Sequence, residues 1–283
     1  NGVFKHSAHY YRAEIQFDRE NYQEALADYQ EVNKMPFNQF SETSSQKAAD
    51  INFYYRNYVA ALPNFQRLEE LAESKESMDA ALIGQMNCHF ELDNHEQAQT
   101  YASLVLDTDA EGEEDLEANT RFILGKSAFE LEDYATAKTQ LTMVGTLSQD
   151  EKAADARYHL ARILFINEEY QACEDEIYKL VQEKPEYGYW VAKSLILLAD
   201  KFVKDEDYFQ AKATLKSIID NYDGDDLVTI ANEKLAEAER LEAEAEKPAP
   251  APESDDLDFG YDNLFEEEEV PEEEILESNN IDD

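Results

Sequence analysis

Apolar residues along most of this chain recur with the period of an amphipathic α-helix. Residues 120–145 show the pattern: Phe122, Leu124 and Phe129 come before a short polar turn, and Leu141 and Val144 come after it. Apolar positions at i, i+3, i+4 and i+7 place their side chains on one face of a helix. The pattern therefore predicts two amphipathic helices joined by a tight turn.

One short phrase recurs along the chain at a nearly fixed interval. FDRENYQEALADY at residues 17–29 is similar to FELEDYATAKTQL at residues 129–141. Six copies align on a small residue of the second helix: Ala25, Ala61, Ala98, Ala137, Cys173 and Ala211. Successive copies are 36, 37, 39, 36 and 38 residues apart. Such a period predicts that each copy is one helical hairpin stacked on the next.

Small residues also recur in the first helix of the units. They are Ala13, Ala49, Gly125, Ala161 and Ala199. Helices pack at axial separations of about 8–10 Å only when the side chains between them are small enough. We therefore expect these positions to lie where the two helices of a hairpin touch, and we expect polar turns such as residues 19–21, 92–94 and 167–169 between the helices.

The repeated phrase resembles the tetratricopeptide repeat, whose period is about 34 residues. The resemblance covers residues 7–223 and is strongest in LGKSAFELEDYATA, LARILFINEEYQAC and AEIQFDRENYQEA. It implies an all-α, right-handed α-solenoid of about six helical hairpins plus a C-terminal capping helix. The chain departs from the family pattern, because the usual Trp and most closing Pro residues are absent and the period is longer. The phrase looks most like repeats of bacterial cell-envelope proteins.

The resemblance also implies that the first helices line a concave, peptide-binding groove. Its expected aromatic members are Tyr10, Phe17, Phe53, Phe90, Phe122, Phe129, Tyr158 and Phe165. Its expected charged members are Glu14 with Asp18, Asp50 and Glu91 toward the N-terminus, and Lys126, Arg162, Lys193 and Lys204 toward the C-terminus. Packing between neighbouring first helices explains the aromatic stripe equally well, and the sequence leaves both interpretations open.

The charge balance narrows the classes of partner. The chain has 283 residues, 65 acidic against 24 basic, and a formal charge of −41. Nucleic-acid binding needs clustered Lys and Arg, so we predict no nucleic-acid partner. Residues 107–118 imitate a calcium loop, but Ala118 stands where a bidentate Glu is needed. Cys88, His89 and His95 are interpreted as packing residues, and we predict no metal, no cofactor and no enzymatic activity.

The C-terminal part changes character after the repeats. We expect a solenoid over residues 1–224, a capping helix over 225–247, a Pro/Ala linker over 248–254 and an acidic tail over 255–283, disordered when free. Fifteen acidic and no basic residues follow residue 247. An apolar island in the tail is the predicted docking motif: Leu257, Phe259, Tyr261, Leu264 and Phe265. A solubilising tail, and a tail that folds back on the groove, are the alternatives.

The sequence favours a non-enzymatic scaffold that binds a protein or peptide on its concave surface, with the tail as a second docking arm. The alternative is an acidic chaperone or inhibitor that masks basic partners by charge. No run of 18 apolar residues is present, so we predict no transmembrane segment, although a membrane-associated assembly stays open. The resemblance favours the periplasm or cell envelope over the cytoplasm. We also expect the chain to be part of a longer protein or complex.

Overall fold

A computed structural model describes residues 4–108 and 114–247, and these residues form thirteen α-helices without strands. The helices are α1 Lys5–Asp18, α2 Tyr22–Asn33, α3 Ser41–Tyr54, α4 Tyr58–Leu71, α5 Lys75–Glu91, α6 His95–Leu106, α7 Glu114–Glu130, α8 Tyr134–Leu147, α9 Glu151–Ile166, α10 Tyr170–Glu183, α11 Gly188–Lys204, α12 Tyr208–Asn221 and α13 Asp225–Ala245. They form six hairpins and one further helix, as the repeat period predicts. The predicted linker and tail, residues 248–283, and part of the calcium-like loop lie outside the described residues.

The turn inside each hairpin has the same backbone geometry in all six copies. Three residues separate the two helices, and the middle one has a left-handed backbone with φ between 56° and 62°. These middle residues are Glu20, Arg56, Asp93, Glu132, Glu168 and Glu206. In the fourth copy the N–H of Asp133 donates to the carbonyl of Ala128 at 2.8 Å, and the N–H of Glu132 donates to that of Phe129 at 3.0 Å. These paired bonds define a Schellman motif.

The period varies because the other segments vary. The turn inside each hairpin is constant, whereas the first helices run from 14 to 17 residues. The connections between hairpins also differ in length. Residues 72–74 connect α4 to α5, whereas residues 34–40 connect α2 to α3. The excess over a 34-residue period therefore lies outside the hairpin turns.

Each hydrophobic cluster joins a first helix, its second helix and the next first helix. In the cluster around α8, Phe129 of α7, Leu141 and Val144 of α8, and Leu160 and Ile163 of α9 are buried together. The other hairpins repeat this arrangement. A unit therefore completes its core only with the first helix of the next unit, which explains why the hairpins stack.

The aligned small residues all lie in these cores. Ala25, Ala61, Ala98, Ala137, Cys173 and Ala211 are fully buried, with 0% of their surface exposed. Burial raises the pKa of the Cys173 thiol to about 12, and it does the same for Cys88. Both cysteines are free and serve as small core residues.

Helix α13 completes the last core in place of a further first helix. Its Leu227 and Ala231 are buried against Ala192 and Ile196 of α11 and Leu215 of α12. Most of its remaining residues are exposed. It therefore acts as the capping helix that a stack of hairpins needs at its end. Residues 1–242 form one compact unit; a second unit begins at Ala243, and of it the structure describes residues 243–247.

The described helices include none that is both long enough and apolar enough to cross a membrane.

Candidate functional site

The first helices of the hairpins form a shared face. From α3 to α11, each odd-numbered helix contacts the next odd-numbered helix in addition to its hairpin partner. We call this surface, formed by α3, α5, α7, α9 and α11, the odd-helix face. This surface brings together residues that are far apart in the sequence. A partner that contacts several repeats at once could therefore bind on it.

The aromatic stripe lies at the hairpin turns, at one edge of this face. Phe129 packs edge-to-face on Tyr134 across its turn, with ring centroids 5.7 Å apart, and Phe129 is buried. Phe17, Phe53 and Phe165 make the same contact with the tyrosine that begins their second helix. The stripe is therefore part of the packing inside hairpins, and four of its members also border surface pockets: Phe17, Phe53, Phe90 and Phe165.

The N-terminal residues expected in the groove are mostly engaged in packing. Tyr10 stacks on Phe40 with ring centroids 4.3 Å apart. Glu14 accepts a hydrogen bond from the hydroxyl of Tyr29, and burial together with this bond raises the pKa of Tyr29. Tyr10 and Glu14 are thus committed to the first hairpin and its neighbour.

A buried charged cluster lies at the junction of α7 and α9. Lys126 Nζ donates to Asp155 Oδ1 at 3.0 Å, and its distance to His159 Nε2 is 3.2 Å. His159 Nδ1 lies 2.6 Å from Asp155 Oδ1. The Lys126 and Asp155 side chains are only 16% and 11% exposed. Lys126 is one of the predicted groove residues, and the structure pairs it with Asp155.

Burial and charge act in opposite directions on this cluster. Burial lowers the pKa of Lys126, and burial likewise lowers the pKa of His159. Burial alone would raise the pKa of Asp155, but the hydrogen bonds and charges of His159 and Lys126 outweigh it and lower that pKa. The hydrogen bonds of Lys126 and His159 to Asp155 therefore join α7 to α9 and favour the ionised form of this carboxyl group.

Arg162 and Lys193 have a different environment, since each lies over aromatic rings. The Arg162 guanidinium is 4.6 Å from the Phe129 ring centroid and 5.9 Å from that of Tyr158. Lys193 Nζ is 4.9 Å from the Tyr158 centroid and 5.1 Å from that of Trp190. Within the part of the chain that the structure describes, neither cation forms an ion pair. Both are partly exposed, and Lys193 Nζ donates to the hydroxyl of Tyr189 at 3.4 Å.

These two cations border a pocket formed by α9, α11 and α13. Its volume is 440 Å³. Tyr158, Arg162, Phe165 and Ile166 come from α9; Lys193, Ile196, Leu197 and Asp200 from α11; and Leu227, Ile230 and Lys234 from α13. Lys234 Nζ donates to Asp200 Oδ1 at 2.6 Å, so the pocket holds one satisfied ion pair and two cations without an anion. We call it the α9–α13 pocket.

Solved structures with the same arrangement of hairpins identify the fold. The C-terminal part of a TPR repeat-containing protein from Cytophaga hutchinsonii matches with a TM-score of 0.60 at 15% identity, covering 82% of this chain and 88% of that chain. YrrB, a TPR protein with an unusual peptide-binding site, matches with a TM-score of 0.54 at 15% identity, covering 72% and 97%. This chain has the tetratricopeptide-repeat fold.

The same fold occurs within a larger protein. A signal-transduction ATPase from Pyrococcus horikoshii that carries a tetratricopeptide-repeat sensor matches with a TM-score of 0.61 at 13% identity, over 83% of this chain but 38% of that one. No family model and no curated protein sequence matches the chain. At identities this low, the likeness is one of fold, and the partner of this tetratricopeptide-repeat chain has to be inferred from its own surface.

The tetratricopeptide-repeat fold does not bring every expected residue to the pocket. Phe122 packs edge-to-face on Phe90, with ring centroids 6.3 Å apart, and Lys204 is exposed at the last residue of α11, outside the pocket lining. The tail motif of residues 257–265 lies outside the described residues.

Sequence reasoning missed several members of the site, and three of them are polar: Trp190, Asp200 and Lys234. Trp190 donates through Nε1 to Glu151 at 3.0 Å and packs beside Tyr158 and Lys193. A signal was available, because the sole Trp of the chain precedes Lys193 by three residues and so shares its helix face. Asp200 and Lys234 carried no such signal, since their pairing depends on how α13 docks on α11.

Proposed function

We propose that the chain is a non-enzymatic scaffold that binds a protein or peptide partner in and around the α9–α13 pocket. The observation that carries this proposal is the pair of cations, Arg162 and Lys193, held over aromatic rings beside an apolar pocket. Rings hold the cations in place at little cost in side-chain entropy, while their hydrogen-bond donors stay available. YrrB supports the class of function, since its fold carries a peptide-binding site.

The pocket favours a partner segment with a carboxylate next to an apolar side chain. Its lining is largely aliphatic and aromatic, with Ile196, Leu197 and Ile230 among the members. Burial of an apolar side chain supplies affinity, and a charge-assisted hydrogen bond to Arg162 or Lys193 supplies direction. The tail motif of residues 257–265 remains the proposed second docking arm. The resemblance of the repeated phrase to repeats of bacterial cell-envelope proteins favours a partner in the cell envelope.

A charge-reversal pair tests the proposal. We expect the Arg162→Glu/Lys193→Glu variant of the full chain to bind a partner, captured from lysate of the native host, at least about tenfold more weakly than the unaltered chain. The matched control is Lys204→Glu/Lys216→Glu, which changes the net charge equally at exposed positions outside the pocket. Circular dichroism melting of both variants checks that they fold. Equal capture by all three proteins would contradict the proposal.

The acidic-chaperone function is the second candidate, favoured by the charge of −41. Its basic partners would be held by long-range attraction, which salt screens over about 8 Å at physiological ionic strength. Partners that dissociate at high salt from the control and pocket variants alike would support this function. Partners that stay bound at high salt and depend on Arg162 and Lys193 would support the scaffold.

A further inference from the structure

A second cavity lies near the N-terminal end of the solenoid, between α1, α2 and α3. It has a volume of 280 Å³ and is lined by Phe17, Tyr22, Asp50, Ile51 and Tyr54. We call it the α1–α3 pocket. Among the described residues that line it, Asp50 alone is charged. Its chemistry is therefore opposite to that of the α9–α13 pocket, where two cations lack an anion.

Three aromatic rings form one side of the α1–α3 pocket. The ring centroids of Phe17 and Tyr22 are 5.3 Å apart, and those of Tyr22 and Tyr54 are 5.9 Å apart. Tyr54 is 72% exposed, so most of its surface is open to a ligand. The faces of such rings attract a cation within about 6 Å of the centroid. Lys47 Nζ already lies 4.1 Å from the Phe17 centroid, although Lys47 does not line the pocket.

Asp50 adds a full negative charge beside these rings. Within the described ranges its carboxylate forms no ion pair, and Lys47, one turn earlier on α3, acts on it only through its charge. Desolvation by the pocket walls raises the pKa of Asp50, although the side chain still reaches solvent, and the charge of Lys47 opposes this rise. A carboxylate in this state is stabilised by a ligand that brings a hydrogen-bonded positive charge.

A neighbouring cavity of 490 Å³ has a more balanced charge. It shares Asp50 and Tyr54 with the α1–α3 pocket and adds the carboxylate of Glu91, but Arg56 lines it as well. Since a cation of the chain already lines this second cavity, the α1–α3 pocket is the better place for a cation from outside.

We propose that the α1–α3 pocket binds the guanidinium group of an arginine side chain from a partner. A guanidinium is planar, stacks on aromatic faces and donates two hydrogen bonds to one carboxylate, so Tyr54 and Asp50 together can hold it. The proposal concerns a site other than the α9–α13 pocket and does not depend on the proposed function. It also differs from the acidic-chaperone function, because it needs a local contact instead of long-range attraction.

Calorimetric titration of the full chain with two short peptides tests the proposal. One peptide has a single arginine flanked by glycine and serine. The other has citrulline in its place, which has nearly the same shape but no charge. At about 0.15 M salt, attraction over more than about 8 Å is largely screened. We expect the arginine peptide to bind at least about tenfold more tightly than the citrulline peptide.

Two double variants of equal net charge locate the contact. Asp50→Asn/Tyr54→Leu removes the carboxylate and the exposed ring of the pocket, and we expect it to reduce the arginine preference to about twofold or less. Glu70→Gln/Phe209→Leu removes one carboxylate and one ring at exposed positions of α4 and α12, outside both cavities, and should keep the preference. Circular dichroism melting checks that both variants fold. Asp50→Asn alone, which keeps the size of the side chain, should also lower the preference.

Three results would overturn the proposal. Equal binding of the two peptides to the unaltered chain would show that the pocket does not recognise a guanidinium. An arginine preference that survives in Asp50→Asn/Tyr54→Leu would place the recognition on another surface. Loss of the preference in Arg162→Glu/Lys193→Glu alone would place the peptide in the α9–α13 pocket. If that variant instead keeps the preference but captures less partner, both proposals stand, each on its own site.

Discussion

At the scale of single residues, each hairpin depends on one backbone conformation that side chains disfavour. Glu20, Arg56, Asp93, Glu132, Glu168 and Glu206 all adopt the left-handed region. This conformation costs a residue with a Cβ roughly 1–2 kcal/mol, and glycine reaches it freely. The chain nevertheless uses charged residues at all six turns, so the Schellman bonds and the aromatic packing of the hairpin outweigh the cost.

Glycine at one of these turns should therefore stabilise the protein. We expect Glu132→Gly to raise the free energy of unfolding by about 0.5–1 kcal/mol, the conformational gain less the entropy of glycine. Glu130→Gly lies two residues earlier, at the last helical residue of α7, and should lower that free energy by up to about 1 kcal/mol. Urea denaturation followed by circular dichroism measures both, and destabilisation by both changes would contradict the left-handed assignment.

His89 gives the stability a pH dependence. Burial lowers the pKa of His89 below its ordinary value of 6.5, and its ring stacks on Tyr101 with centroids 5.4 Å apart. Below pH 6.5, His89 binds a proton more readily in the unfolded chain than in the folded chain. The contribution of this group to stability is therefore complete above pH 6.5 and is lost as the pH falls.

Replacement of His89 should flatten that dependence. We expect the free energy of unfolding of His89→Gln to fall less between pH 7.5 and pH 5.5 than that of the unaltered chain. The general effect of −41 charges is common to both proteins, so it cancels in the difference. His6→Gln, which leaves His89 in place, is the control. Parallel stability curves for His89→Gln and the unaltered chain would show that His89 titrates alike in both states.

At the scale of helices, close approach controls how one hairpin meets the next. A Cβ at Gly84 of α5 would lie 2.3 Å from the ring of Phe65 on α4, whereas a Cβ at Gly145 of α8 would meet no atom within 4 Å. Both glycines are helical, so the same substitution has opposite consequences at the two places.

Alanine substitution makes this contrast measurable. We expect Gly84→Ala to lower the free energy of unfolding by about 1–3 kcal/mol, because the buried ring of Phe65 has to shift. Gly145→Ala should raise it by up to about 1 kcal/mol, because alanine favours a helix and nothing obstructs it. Thermal melting resolves the two signs. A stabilising Gly84→Ala would mean that α4 and α5 are farther apart than described.

The repeated features of the helices were predictable from the sequence, and the side-chain partners were not. The spacing of Ala25, Ala137 and Ala211 predicted the hairpins, because every unit needs a small residue at the same helix contact. The pairing of Lys126 with Asp155 occurs once and depends on the neighbouring unit. No periodic feature of the sequence indicates this pairing.

At the scale of the whole molecule, the contrast between overall and local charge is the main feature. The chain carries −41 charges, yet Arg162 and Lys193 lie beside an apolar pocket without a carboxylate to pair them in the described residues. This contrast is the reason why we propose that the α9–α13 pocket recognises a partner.

Photo-cross-linking of the captured partner tests this assignment most directly. A benzoylphenylalanine at Ile166, which is 43% exposed and lines the pocket, should form a covalent bond with the partner on illumination. The same group at Phe209, which is 74% exposed on α12, should not. Cross-linking from Ile166 alone is the predicted result. Cross-linking from Phe209, with none from Ile166, would place the partner on another surface and contradict the account.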